Sequence, residues 1–190
     1  MKHYLSTLPR LFLFFAFVLV GFSASIKADE TNRLQVFENK TNVNGNFLIE
    51  GFALERLAYL NFERQVFDLI NQKRREFGLK PLVWNESTAR VARMHSENMA
   101  TYNFFGHRGL DGKAVSGRAD SIGLTKWRGI GENIASLRGY QKPMEQVITC
   151  WMNSPGHREN LLREKWRESG VGISRGSDGT YYFTQVFLKK

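Results

Sequence analysis

The spacing of hydrophobic positions changes several times along the chain. From Leu57 to Phe77, apolar residues recur near helical spacing with charged residues between them, which predicts a helix that Gly78 ends. Asn85 is a good N-cap and precedes a second amphipathic run, so a second helix is predicted over 86–102. The buried stripe of this helix is expected to consist of Ala89, Ala92, Ser96 and Met99.

The second half of the chain alternates between loops and short elements. Residues 103–128 are glycine-rich with little periodicity, which predicts a long ordered loop, and such loops are often functional. An extended segment is predicted over 130–137. Pro143 is expected to start a third helix, which Ser154-Pro155-Gly156 ends, and a short helix is predicted over 157–163.

Two β-rich runs close the chain. They cover residues 170–174 and 181–188 and bracket Ser177-Asp178-Gly179, a strong hairpin signal. Helices followed by a closing antiparallel hairpin predict an α+β layered domain.

The N-terminal residues have a different character. Lys2 and Arg10 supply positive charge, residues 11–22 are apolar and residues 23–28 are small or polar, which is the order of a secretory signal. The apolar run is shorter than the about 20 residues that span a membrane. We expect cleavage after Ala28, with retention as an uncleaved anchor as the alternative. Residues 29–55 are polar and are expected to form a linker to a single domain over 56–190.

Charge and cysteine content narrow the class of protein. Removing residues 1–28 takes away three bases and no acid, so the net charge falls from +9 to +6. The bases are spread along the chain, so we expect solvated faces, with weak attraction to anionic lipids or wall polymers as the alternative. Nucleic acid is not an expected partner outside the cytoplasm. A lone Cys150 cannot form an internal disulfide and is expected to be a buried small hydrophobe.

Three histidines remain after signal removal. His95 lies within the second helix and is expected to make one hydrogen bond at the edge of the core. By contrast, His107 lies in an aromatic, glycine-rich turn and His157 follows a helix break, so both are held by loops. Glu132 lies on the extended segment, where a half-buried carboxylate needs a partner.

Two imidazoles and a carboxylate suit two kinds of chemistry. Such a set binds a divalent metal such as zinc, or performs acid–base chemistry near neutral pH. The chain has no His-Glu-x-x-His pair, Cys-x-x-Cys pair, Gly-x-Ser-x-Gly elbow or phosphate loop. Spacing alone leaves both kinds of chemistry open, as well as a cluster that only holds loop to helix.

Four short blocks, taken together, resemble one known family. They occur in the order Asn103-Phe104-Phe105-Gly106-His107, Gly131-Glu132-Asn133-Ile134, the run from Trp151 to Leu161, and Gly170-Val171-Gly172. This set is similar to the CAP superfamily, which groups cysteine-rich secretory proteins, antigen 5 and pathogenesis-related proteins. The Ser-Pro-Gly-His form and the lack of cysteine pairs look like its bacterial branch.

The resemblance implies a fold and a set of site residues. The fold is an α-β-α sandwich of three layers with a small antiparallel sheet and a shallow cleft. Its two cleft histidines correspond to His107 and His157, and its first acid to Glu132. The second acid lies three residues after the tryptophan that Trp151 matches, and Ser154 occupies that position. The implied set is therefore three residues, with one position on a bound metal open to water or ligand.

The function implied by the resemblance is ligand binding outside the cytoplasm. We expect a secreted, extracellular or periplasmic monomer with no transmembrane segment after signal cleavage. Its cleft would bind a lipid, a sterol or an envelope polymer, and would optionally hold zinc through His107, Glu132 and His157. The alternative is a zinc-dependent or acid–base hydrolase of peptides or envelope polymers, in which Glu132 activates a water between the two histidines. A third hypothesis is function through surface contacts alone.

Overall fold

The computed structural model describes residues 54–190. The predicted signal over 1–28 and nearly all of the linker over 29–55 lie outside the described residues. Helix α1 covers residues 54–76 within that range. The other elements are β1 (Val83–Trp84), α2 (Glu86–Tyr102), α3 (Val115–Ser121), β2 (Gly129–Leu137), α4 (Pro143–Asn153), α5 (Pro155–Leu161), β3 (Glu168–Arg175) and β4 (Tyr181–Lys189).

The described strands form one sheet in the order β1-β3-β4-β2. Strands β3 and β4 form the predicted antiparallel hairpin, in which Arg175 is opposite Tyr181. Strand β2 pairs antiparallel with the other side of β4. The two-residue strand β1 joins β3 in parallel, an arrangement that the sequence pattern did not predict.

Helices cover both faces of this sheet. Side chains alternate along β4, so Phe183 and Phe187 enter a core shared with α1, α4 and α5. On the other face, Val186 packs against α2 and α3, and Tyr182 packs against Met99 of α2. The predicted three-layer α-β-α sandwich is confirmed.

Helix α2 packs directly on β3. A Cβ added to Gly172 would lie 2.2 Å from the Arg93 nitrogen, and one added to Gly170 would lie 2.1 Å from the Ala89 nitrogen. The four residues predicted for the buried stripe of α2 are all 0% exposed. Two glycines on the strand and small residues on the helix therefore allow the layers to approach more closely than side chains would permit.

Local signals explain most element boundaries. Asn85 Oδ1 accepts a hydrogen bond from the Thr88 N–H at 2.9 Å, and α2 has the predicted bounds. The prediction of an uninterrupted loop over 103–128 was wrong, because α3 lies inside it. That helix has seven residues and no side-chain N-cap bond, so no signal marked it. Helix α5 begins two residues earlier than predicted because Pro155 suits its first turn.

A buried ion pair joins two layers of the sandwich. The Arg93 Nη2 atom on α2 lies 2.7 Å from Glu63 Oε2 on α1, whose side chain is 2% exposed. A carboxylate this deeply buried needs such a partner, so the pair fixes the position of α1 relative to α2.

Cys150 is half-buried against the main core, close to its predicted environment, and its Sγ lies 3.7 Å from Gln146 Nε2.

Within residues 54–190, no helix has both the length and the apolar character needed to cross a membrane.

Candidate functional site

His107 is held by a loop that begins at the end of α2. Asn103 adopts a left-handed conformation (φ 48°) as the C-cap, and its N–H is donated to the Met99 carbonyl. Further along the loop, His95 Nε2 lies 2.8 Å from the Gly106 carbonyl oxygen. His95 therefore makes the one hydrogen bond that was predicted, but it is fully buried rather than at the edge of the core. The residue after Gly106 is His107, whose side chain is 56% exposed.

Glu132 lies directly behind His107. Its side chain is 3% exposed, and its Oε1 atom lies 2.8 Å from His107 Nδ1. The other oxygen, Oε2, accepts a hydrogen bond from Arg118 Nη2. The expectation that this carboxylate needs a partner was right, and the structure supplies one for each oxygen.

Arg118 is the site residue that sequence reasoning missed. It lies on α3, its side chain is 4% exposed, and it forms an ion pair with Glu132. Its Nη1 atom donates to the carbonyl oxygens of His107 at 3.0 Å and Lys113 at 2.9 Å. Arg118 thus neutralises the buried carboxylate and anchors the histidine loop. The sequence did indicate that the Glu132 carboxylate needs a cation. It did not indicate that Arg118 could reach this carboxylate, because helix α3, which carries Arg118, was not predicted.

His157 enters the site from α5, and the strand that carries Glu132 is bonded to that helix. Asn133 Nδ2 donates to the His157 carbonyl at 3.0 Å. Asn160 Nδ2 donates to the Glu132 carbonyl and to Asn133 Oδ1, both at 3.1 Å. These side chain bonds hold α5 against β2, so that His157 and Glu132 are positioned by one network.

Burial of its ring lowers the pKa of His157, and the charge of His107 lowers it further. The structure brings His107 and Glu132 into direct contact, and the Asn133 side chain, next to Glu132, is bonded to the His157 carbonyl. That the ring of His157 joins the same site stays a prediction.

We expect His107→Gln to raise the pKa of His157 towards its ordinary value of about 6.5 without reaching it, because burial of the ring remains. The measurement is an NMR titration of the histidine ring resonances. His95 is the internal control, because burial and Arg118 are the leading causes that lower its pKa, and His107 is the last. An unchanged His157 titration would show that the rings do not share a site.

The second acid of the site that the family resemblance implied is absent from this chain. Ser154 stands where the second acid is expected, and as the N-cap of α5 it makes no side-chain capping bond. Within the described part of the chain, no group of three or more His, Cys, Asp or Glu side chains is arranged to hold a metal. Metal binding by His107, Glu132 and His157 together stays a prediction.

Fold and site together define an α-β-α domain in which an exposed histidine, His107, is bonded to a buried carboxylate, Glu132. Residues 67–187 match the cysteine-rich secretory protein family, CAP, and the chain belongs to that family. The resemblance inferred from the four sequence blocks is confirmed.

Two Bacillus subtilis proteins are similar in sequence. YkwD is 37% identical over 130 residues, which cover 68% of this chain and 48% of YkwD. The membrane protein YlbC is 36% identical over 128 residues, which cover 67% of this chain and 34% of YlbC. The chain thus spans about half the length of one curated relative and about a third of the other.

Solved structures show the same fold. An extracellular SCP-domain protein from Bacillus anthracis is 33% identical, with a TM-score of 0.60 over 70% of this chain and 41% of its own. An outer surface protein from Borrelia burgdorferi has a TM-score of 0.61 at 21% identity, over 68% of this chain and 93% of its own, and supports the fold alone.

Proposed function

We propose that this chain is a secreted or envelope ligand-binding domain whose cleft holds a polar group of its ligand between His107 and His157. The observation that carries the proposal is the bond between His107 and Glu132. A carboxylate only accepts hydrogen bonds, so it holds the proton of a neutral His107 on Nδ1. The exposed Nε2 atom is then an acceptor that faces a ligand.

The charges of the cleft favour a ligand that donates hydrogen bonds. Arg118 offsets the charge of Glu132, and the lowered pKa of His157 keeps its ring neutral at neutral pH. A neutral imidazole such as that of His157 accepts a hydrogen bond from a hydroxyl or amide group. Sterols, lipid headgroups and envelope polymers all carry such groups, and these are the ligand classes that the sequence predicted.

A bound metal is not required by this proposal. Both Glu132 oxygens are engaged, one by His107 and one by Arg118, so a divalent ion would find two imidazoles and no free carboxylate. Catalytic zinc sites keep three protein ligands. A carboxylate behind an imidazole orients the ring, and it does so for metal-ligating histidines as well.

The location of the protein is part of the proposal. The signal predicted over 1–28 supports export, and a cleaved signal would leave the linker and the domain outside the cytoplasm. The extracellular SCP-domain protein among the structural neighbours supports the same location. An uncleaved signal would leave the domain anchored, and YlbC is a membrane protein.

One observation favours a second candidate, an acid–base hydrolase of peptides or envelope polymers. An exposed imidazole oriented by a buried carboxylate has the geometry of a general base. No serine or cysteine among residues 54–190 is hydrogen-bonded to His107, so such an enzyme would activate water.

Calorimetric titration of the purified protein with zinc chloride is expected to show no binding tighter than micromolar, because two imidazoles provide too few ligands. Arg138→Gln, which changes an exposed base outside the cleft, is the matched control for His107→Gln. Tight stoichiometric binding that Glu132→Gln and His107→Gln abolish would contradict the metal-free cleft and restore the three-ligand site.

The ligand itself is tested with three probes: muramyl dipeptide, phosphatidylglycerol nanodiscs and cholesterol. We expect one of them to shift the ring resonances of His107 and His157, and His107→Gln to abolish the response. Unshifted rings with all three would favour function through surface contacts. Turnover of a peptide or ester substrate that depends on His107 would favour the hydrolase.

A further inference from the structure

Bases that are far apart in the sequence meet at one edge of the sheet. Strands β1 and β3 start there, the antiparallel strand β4 ends there, and β2 starts beside the end of β4. Along the sequence these bases are dispersed, because each pair is separated from the next. The cluster, called the basic edge below, consists of Lys126, Arg128, Lys165, Arg167, Lys189 and Lys190.

Backbone hydrogen bonds hold three of these bases in one row. The Arg128 N–H donates to the Lys189 carbonyl at 2.7 Å, and the Arg167 N–H donates to the Leu188 carbonyl at 2.9 Å. Neighbouring strands are about 4.8 Å apart, so bases from three strands lie within about 10 Å across the sheet. Five of the six bases are exposed and Lys189 is half-buried.

Few acids balance this charge. Glu168 is already engaged, with Oε2 2.6 Å from Asn85 Nδ2 and Oε1 2.5 Å from Lys190 Nζ. Within residues 54–190, no carboxylate forms an ion pair with the other five bases. Like charges held this close repel one another and raise the local positive potential, which an anionic partner would relieve.

The edge has no exposed apolar or aromatic surface on the segments that carry the bases. Val83, at the start of β1, is exposed beside this edge, and the other exposed large hydrophobic side chains of the described residues lie outside 125–128, 164–168 and 188–190. Trp127 is half-buried with its indole N–H donated to the Leu124 carbonyl, and Trp166 is stacked on Phe187. Insertion into a membrane needs an apolar anchor, and nucleic acid binding draws on stacking with exposed aromatic rings.

We propose that the basic edge binds a linear polyanion with closely spaced phosphate groups, a function beyond that of the histidine cleft. Arginine and lysine together suit phosphate, because guanidinium binds its oxygens in pairs and ammonium acts as a point charge. Because the bases come from the adjoining ends of three neighbouring strands, successive phosphates of one polymer that follows these ends can contact different bases.

The test is binding of linear long-chain polyphosphate to the purified protein at two salt concentrations. In the edge variant, Lys126, Arg128 and Lys189 are each changed to Gln. We expect affinity to fall at least about tenfold and its salt dependence to become shallower, since fewer counterions are released. The control variant changes Arg138, Lys142 and Arg175 to Gln, the same loss of charge near the opposite edge, and should stay within about twofold of the original.

Several results would overturn the proposal. Equal weakening in the edge and control variants would mean that net charge alone matters. Edge-dependent binding to phosphatidylglycerol vesicles that polyphosphate cannot displace would assign the edge to a membrane, and tighter binding of an oligothymidylate would assign it to nucleic acid. His107→Gln should leave polyphosphate binding unchanged, which separates failure of this proposal from failure of the cleft proposal. Circular dichroism confirms that both triple variants are folded.

Discussion

Gly172→Ala is expected to lower the free energy of unfolding by about 3 kcal/mol or more, the largest effect we expect from adding a single methyl group. The new Cβ would lie 2.2 Å from the Arg93 nitrogen and 2.3 Å from the Ala92 carbonyl carbon. These are backbone atoms of α2, so no side chain can rotate away and the helix itself must shift. Urea denaturation measures the loss.

Gly156→Ala is the matched control for Gly172→Ala. A Cβ at Gly156 meets nothing within 4 Å, and the residue lies in α5, where alanine is tolerated. We expect its stability to stay within about 0.5 kcal/mol of the original protein. Equal stabilities of the two variants would show that α2 does not contact β3 as closely as described.

Arg93→Met is expected to destabilise the fold by about 3–5 kcal/mol, because it leaves a buried carboxylate without its partner. Burial raises the pKa of Glu63, and the hydrogen bond and charge of Arg93 oppose that rise. Removing Arg93 leaves only the backbone hydrogen bond from Ile173 to oppose burial, so the pKa of Glu63 rises further. Thermal and urea denaturation across pH measure the effect.

The pH dependence of Arg93→Met has a definite sign. A carboxyl whose pKa is higher in the folded state than in the unfolded state favours folding only while it is protonated. The loss in free energy of unfolding caused by Arg93→Met is therefore largest above the folded-state pKa of Glu63, and it shrinks as the pH falls through that pKa. A deficit that is constant between pH 7 and pH 4 would contradict this explanation.

Two further variants isolate the ion pair. Adding Glu63→Gln to Arg93→Met removes the buried charge, so the double variant should recover part of the lost stability and lose the pH dependence. Arg138→Met breaks an exposed pair, whose side chains are 69% and 45% exposed, and should change stability by less than about 0.5 kcal/mol. A similar loss in Arg138→Met and Arg93→Met would mean that burial of the pair is unimportant.

The cleft and the basic edge are connected by one strand. Arg128 and Glu132 are four residues apart, which is about 13 Å along a strand. The two sites are therefore separate positions along β2. Each site can be removed without the other, which is why the two proposals have separate tests.

Elements with strong local signals could be predicted from the sequence. The N-cap Asn85 and the small-residue stripe specified α2, and the two β-rich runs around Ser177-Asp178-Gly179 specified the hairpin. Helix α3 could not be predicted, because seven residues without a capping bond carry too little periodicity. His107, Glu132 and His157 could be selected because loop histidines and a half-buried acid are unusual choices unless they serve a site.

By itself, the sequence determined the secondary structure that depends on neighbours in the chain, and it singled out His107, Glu132 and His157 as candidate site residues. Only the tertiary structure decided that Arg118 neutralises Glu132, that both carboxylate oxygens are engaged, and that bases preceding or ending three strands form one edge. The reason is physical: capping, periodicity and turn formation act within a few residues. Ion pairs and surface charge instead depend on distances in space, which strand order and register set.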